Sequence, residues 1–140
     1  MKDAKVAILI KKASLEFDKV ANPMFAEYDL SSAQYRVLKF LYMQESRTAR
    51  VVDLEREFSM THPTAIGLIG QLEKKGFTTR VENPQDARGK MVALTEKADD
   101  LQEELETLGD AVEQELTKYL TASEREKLTA LLMKLMNLQA

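Results

Sequence analysis

The chain has no cysteine and one histidine, His62, among its 140 residues. Without a thiol there can be no disulfide, zinc–thiolate site, iron–sulfur ligation or thiol redox sensor, and one imidazole leaves no histidine-rich metal site. A cysteine nucleophile or a Ser–His–Asp centre is excluded unless His62 supplies the base. No paired acid and base, metal-ligand spacing or glycine-rich phosphate loop stands in their place. The expectation is a protein that is not an enzyme and takes no cofactor. Long apolar runs are missing as well. Val6 to Ile10 is the longest candidate and is broken by Lys11 and Lys12, far short of the ~18–20 residues that span a bilayer. Lys2, Asp3 and Lys5 precede too short an apolar stretch for a signal peptide. A cytoplasmic protein without membrane contact is expected. With only 5 Gly and 3 Pro beside 44% hydrophobic and 31% charged residues, the composition suits a helical globular chain and excludes a disordered or collagenous one. The length suits one domain.

The formal net charge of −3, taken whole, argues against a partner such as nucleic acid. Its distribution argues otherwise. Residues 1–46 carry 7 Lys/Arg and 6 Asp/Glu, residues 47–92 carry 8 and 6, and residues 93–140 carry 5 and 11. The acid belongs to the last third, and the middle is mildly basic.

Apolar side chains at Val6, Leu9, Ile10, Ala13, Phe17, Val20 and Ala21 form one face of a helix over residues 4–21, which Asn22-Pro23 should end. Ser31 and Gln34 make an S-x-x-Q capping box ahead of Val37, Leu38, Phe40 and Leu41. Residues 45–50 read as a polar break. A short helix over residues 51–58 carries Val51, Leu54 and Phe58 on one face. After Ser59-Met60-Thr61 another helix runs to about Lys75, with Ala65, Ile66, Leu68, Ile69 and Leu72 as its buried face, Thr61 or His62 as N-cap and Gly76 as its C-cap. Two helices joined so closely form a helix-turn-helix pattern. From Phe77 the period becomes two, through Phe77, Thr79 and Val81 and again through Val92 and Leu94, with the turn formers of residues 83–89 between them. That is a β-hairpin with an arginine-tipped loop. Thr95 then caps a long helix bearing Leu101, Leu105, Leu108, Val112, Leu116 and Tyr119. Ser123 and Glu126 form a further capping box before Leu128, Leu131, Leu132, Leu135, Met136 and Leu138.

The fold class is therefore mainly α with a small β-hairpin wing, a winged helix-turn-helix set between N- and C-terminal helices. A helix of this kind enters the major groove N-terminus first. Here that presents Thr61, His62, Thr64 and Ala65, with Gln71, Lys74 and Lys75 further along. Freed N–H groups and hydroxyls at a helix start suit phosphate oxygens. Arg88 at the hairpin tip has the length and charge to enter a narrow minor groove, and Arg80 and Lys90 add positive charge to the wing.

From Leu30 to Leu101 the chain resembles the MarR family of transcriptional regulators. LSSAQYRVLKFL precedes the helix-turn-helix, QLEKKGF ends its second helix, and ENPQDARGKMVALTEKA spans the wing and the next helix start. The Asp86-Ala87-Arg88 stretch followed by Val92-x-Leu94-Thr95 is the most specific part. The resemblance implies a homodimer that represses or activates transcription from a pseudo-palindromic operator and is usually released by a small aromatic or anionic effector. It also implies residues 1–29 and 96–140 as interlocking dimerisation helices around a DNA-binding module at 30–95. Arg88 matches the wing arginine and Asp86 its orienting acid, with Arg80 a further recipient. Four positions depart from the pattern. Glu55 replaces a small residue and implies a carboxylate turned to the edge of the helix pair. Gly67 and Gly70 lie inside the second helix, at about 0.8–1 kcal/mol each relative to Ala. Ala98 replaces a glycine.

Each site has a plainer reading. Asp86 and Arg88 also fit a solvated turn, His62 an ordinary cap-region residue, and Lys74 and Lys75 the negative end of a helix dipole. Phe17, Phe25, Tyr28, Tyr35 and Tyr42 fit an effector pocket or ordinary core. The whole module fits either a DNA reader or a winged helix used for docking another protein.

Overall fold

The computed structural model describes residues 4–138, with only the backbone for 86–88. Helix α1 spans Val6–Phe25 and runs straight through Pro23, where the sequence reading ends it. Proline costs a helix about 3 kcal/mol by removing one N–H donor and crowding the preceding turn. Phe25, two residues on at the end of the helix, is 1% exposed, and burying such a ring recovers about 1.5–3 kcal/mol. A 3₁₀ turn, Ala26–Tyr28, follows and closes at Asp29 in the left-handed region, φ 58°. Asn22 is put to use as a brace: its Oδ1 accepts the Ser32 N–H at 2.7 Å, while Ser32 Oγ donates to Asp18 at 2.7 Å.

Helix α2, Ser32–Met43, begins with the expected capping box, Ser31 Oγ accepting the Gln34 N–H and Gln34 Oε1 accepting the Ser31 N–H, each at 3.1 Å. The predicted polar break contains a strand. β1, Thr48–Ala49, pairs antiparallel with the far side of the hairpin, Thr48 opposite Ala93 and Ala49 opposite Val92. Two residues are too few to show a period, so only the tertiary pairing defines it. Helices α3, Val51–Glu57, and α4, His62–Lys74, form the helix-turn-helix. α4 closes as expected at Gly76, φ 83°, with the Phe77 N–H bonded to the Leu72 carbonyl and the Gly76 N–H to that of Glu73, the Schellman arrangement.

Strands β2, Thr78–Asn83, and β3, Asp86–Leu94, complete a sheet of order β1-β3-β2. The hairpin turn is Pro84-Gln85, not the seven residues 83–89, and Asn83 Oδ1 stabilises it by accepting the Gln85 N–H at 3.0 Å. The pairing of β2 with β3 runs from Thr78 opposite Leu94 to Glu82 opposite Lys90, then shifts register to Asn83 opposite Asp86, so the poor strand formers at 87–89 form a bulge in β3. Arg88 therefore lies within β3, several residues from the tip.

Helix α5, Glu96–Leu116, is capped by Thr95, whose Oγ1 also donates to the Gly76 carbonyl at 2.6 Å. Helix α6, Ala122–Leu135, starts from a Thr121–Glu124 box instead of Ser123–Glu126. The stretch TASERE contains both patterns, and the earlier one wins because it adds helical hydrogen bonds at no loss of capping.

One core joins all three stretches of the chain: Ala21 and Phe25, then Leu38, Leu41, Leu54, Ile69, Leu72, Phe77 and Val92, then Ala98, Leu105 and Val112. The five aromatics considered for an effector pocket belong to it. Phe25 and Tyr35 stack with centroids 4.1 Å apart, leaving no room for a ligand between them. Tyr42 is buried and donates to the Ala98 carbonyl at 2.5 Å, Tyr28 donates to Glu104 at 2.7 Å, and Phe17 packs on the rim. By contrast α6 buries none of its own side chains, and Ile8 and Leu15 of α1 with Leu131, Leu135 and Leu138 near the C-terminus are all more than half exposed.

Candidate nucleic-acid interface

The turn between α3 and α4 is built from Phe58 to Thr61, with Ser59 in the left-handed region at φ 50° and the Met60 N–H returning to the Glu55 carbonyl. Thr61 is the N-cap of α4: its Oγ1 accepts the Thr64 N–H and donates to Thr64 Oγ1 at 3.0 Å. At the start of α3, Arg50 clasps Asp53 through Nε and a terminal nitrogen, at 3.2 and 3.0 Å, and these bonds hold the Asp53 carboxyl below the usual carboxylate range.

α4 has two faces. Ala65, Ile69 and Leu72 point inward and are at most 1% exposed. Outward stand Thr61, His62, Pro63, Thr64, Ile66, Gly67, Gln71 and Lys74. Of the residues named for a contact surface, Thr61, His62, Thr64, Gln71 and Lys74 lie on this outward face, together with Ile66, which the apolar spacing places on the buried one. Ala65 is a correction: its i, i+4, i+7 spacing with Ile69 and Leu72 turns it into the helix pair and away from solvent.

Lys75 is also redirected. Its Nζ donates to Gln34 Oε1 at 2.9 Å and to the Asp29 carbonyl, and lies 3.8 Å from the Asp29 carboxylate. Lys75 therefore braces α4 against the start of α2, whereas Lys74 is exposed and without an ion-pair partner among the described residues. Gln71 shares this bracing, accepting from Gln34 Nε2 at 2.7 Å. Arg80 is fixed to α4 by a 2.6 Å bond from Nε to Glu73. Lys90 is exposed on β3. The side chains of Asp86 and Arg88 lie outside the described residues.

Glu55 does not simply turn to an edge. Its Oε2 lies 3.0 Å from His62 Nδ1, joining α3 to the first residue of α4. Sequence reasoning missed this pair, and the linking role of Gln34, because partners seven or 37 residues apart across a bend leave no periodic signal. A cleft of about 920 Å³ opens beside this module, lined by Phe40, Gln44, Asp53, Arg56, Met136 and Leu138 among others. Among the described residues no cluster of acidic or histidine side chains is arranged for a metal, and no helix is long and apolar enough to cross a membrane.

A helix-turn-helix with one helix face left open, followed by a hairpin that completes a three-stranded antiparallel sheet with β1, defines a winged helix-turn-helix protein. A sequence model of the MarR family matches residues 28–89. The multiple antibiotic resistance protein MarR of Escherichia coli is 32% identical over 129 residues, covering 91% of this chain and 88% of its own. The chain belongs to the MarR family, whose members are transcriptional regulators and not enzymes. Two solved structures show the same fold. A mutant E. coli MarR complexed with operator DNA is 30% identical with a TM-score of 0.83, over 93% of this chain and 92% of that one. The S. aureus MepR–DNA complex is 27% identical with a TM-score of 0.85, over 96% and 98%.

Proposed function

We infer that this regulator is a homodimer that binds a pseudo-palindromic DNA operator and represses transcription until a small effector releases it. Residues 30–95 form the reading module, while 1–29 and 96–140 supply arms shared between two copies. The observation that carries the reading is the two-sidedness of α4. Its inner face is locked by Ala65, Ile69 and Leu72, so the outer face, from Thr61 and His62 to Lys74, is presented as a rigid edge. Two such edges in a dimer would meet successive major grooves one helical turn apart, about 34–36 Å.

The exposed leucines of α6 and the apolar residues of α1 support the dimer, since scattered apolar exposure is ordinary but a continuous helix face is not. An aromatic or anionic effector that prefers a dimer with the wrong spacing lowers operator affinity by linkage. The cleft beside Phe40 and Arg56 offers such a molecule a ring and a guanidinium.

Selection from a randomised duplex library, followed by fluorescence anisotropy across a salt series, tests this. An enriched inverted repeat, bound with log K falling by about 0.9 per phosphate neutralised for each unit of log salt, is expected. No enriched sequence and a flat salt dependence would overturn the reading in favour of a protein-docking module.

A further inference from the structure

Glu55 and His62 meet across the turn that joins α3 to α4, with Nδ1 and Oε2 3.0 Å apart. The two side chains differ in surroundings: that of Glu55 is 25% exposed and that of His62 is 65% exposed. One end of the pair is seated in the helix pair, and the other stands at the leading edge of α4. The backbone beneath the ring is held by the Thr61 cap.

An ionised carboxylate has acceptors only, so Nδ1 is the nitrogen that carries the proton in this contact. A neutral imidazole has a single N–H. With that proton on Nδ1, Nε2 keeps a bare lone pair on the side of the ring away from Glu55. Among the described residues Nε2 has no hydrogen-bond partner. In the major groove the groups that complement a bare acceptor are exocyclic amino groups, adenine N6 and cytosine N4, whereas guanine O6 and N7 and thymine O4 are themselves acceptors.

We propose that Glu55 is a positioning residue for base recognition: it holds His62 in the Nδ1–H tautomer, so that Nε2 accepts from the amino group of an adenine or cytosine on the contacted strand. This rests on α4 being the helix that enters the groove. Glu55 touches no base itself and acts only through the ring.

Two measurements test it. His62 is the single histidine of the chain, so one imidazole dominates a long-range ¹H–¹⁵N spectrum of the full-length protein. At pH 8, above the ordinary imidazole range, the wild type should show the Nδ1–H tautomer and Glu55→Ala a shift toward Nε2–H. The same tautomer in both proteins would overturn the proposal. The second measurement repeats the duplex selection with Glu55→Ala, Glu55→Gln and His62→Ala. Glu55→Ala and His62→Ala should relax preference at the same single base of each half-site and leave the rest of the motif and its spacing intact. Glu55→Gln, whose amide oxygen still accepts from Nδ1, should retain the preference. Replacing an adenine at that base by purine, which lacks the amino group, should weaken wild-type binding about two- to tenfold, the worth of one hydrogen bond, and leave His62→Ala unaffected. If His62→Ala relaxes the base and Glu55→Ala does not, the positioning role falls while groove reading stands. If the wild type enriches no motif, groove reading falls and this proposal with it.

Discussion

Gln34 and Lys75 are joined by a 2.9 Å hydrogen bond from Nζ to Oε1, so the residue that completes the cap of α2 also holds the C-terminal end of α4. Two adjacent lysines thereby acquire different roles. Lys75→Ala should cost about 1 kcal/mol of stability, the scale of a charge-assisted bond at a partly exposed site, read as a lower denaturant midpoint. Lys74→Ala should leave the midpoint unchanged and reduce the salt slope of DNA binding by about 0.9. Equal effects of the two substitutions on stability would contradict this division.

Glycines 67 and 109 respond oppositely to a methyl group. A Cβ at Gly67 meets nothing within 4 Å, so Gly67→Ala should stabilise the fold by about 1 kcal/mol through helix propensity. The same methyl stands on the outward face of α4 and should weaken DNA binding. At Gly109 a Cβ would collide with the Tyr35 hydroxyl, and Gly109→Ala should destabilise by about 1–3 kcal/mol, as overpacking does. Thermal melts of both variants, with anisotropy for the first, check the pair.

Tyr35 and Tyr42 both titrate above the ordinary phenol range because burial disfavours the phenolate, Tyr35 being pushed up to about 12. A folded-state pKa above the unfolded one means that the folded protein keeps the proton longer. The corresponding stability is fully present below pH 10 and is lost as pH rises through about 12. Tyr35→Phe, which keeps the stack on Phe25, should make the decline of stability between pH 10 and 12 shallower. An unchanged decline in denaturant titrations at each pH would show that Tyr35 is not responsible.

Leu131 and Leu135 leave 63% and 56% of their surface exposed in the single chain. Placing charge there should not disturb a fold whose core excludes α6, but it should block burial of that face against a second copy. Leu131→Glu combined with Leu135→Glu should therefore convert a dimer to a monomer in sedimentation equilibrium, with helical circular dichroism retained and operator binding lost. A wild-type chain that sediments as a monomer would remove the basis of the prediction.

Local chemistry was legible wherever a cap and its partner lie three residues apart. Ser31 with Gln34, the Thr95 cap and the left-handed Gly76 are each found where the chain predicts, and Thr61 is the cap of the two residues left open with His62, because these hydrogen bonds close within one turn and need no other element. Where two local signals competed, as at Thr121 and Ser123, the pattern alone did not rank them. The order of helices and the hairpin were also legible, since burial on one face imposes a period of 3.6 or 2.

Other features depended on residues far apart in the chain. Pro23 lies inside a helix because Phe25 has a core to enter, and β1 exists because β3 has a free edge at Val92 and Ala93. On α4 the amino-acid types nominated Ala65 and Lys75 beside His62 and Lys74 without separating them. Only packing against α2 and α3 tied Lys75 to Gln34 and set His62 against Glu55, whereas Ala65 turns inward by its spacing with Ile69 and Leu72. The sequence by itself determined the winged helix-turn-helix, because helical period and caps are local properties of the backbone, while the family was legible only as a resemblance carried by the motifs between Leu30 and Leu101. The tertiary structure decided which side chains of the reading helix remain free, because that depends on neighbours brought together by burial and not by spacing along the chain.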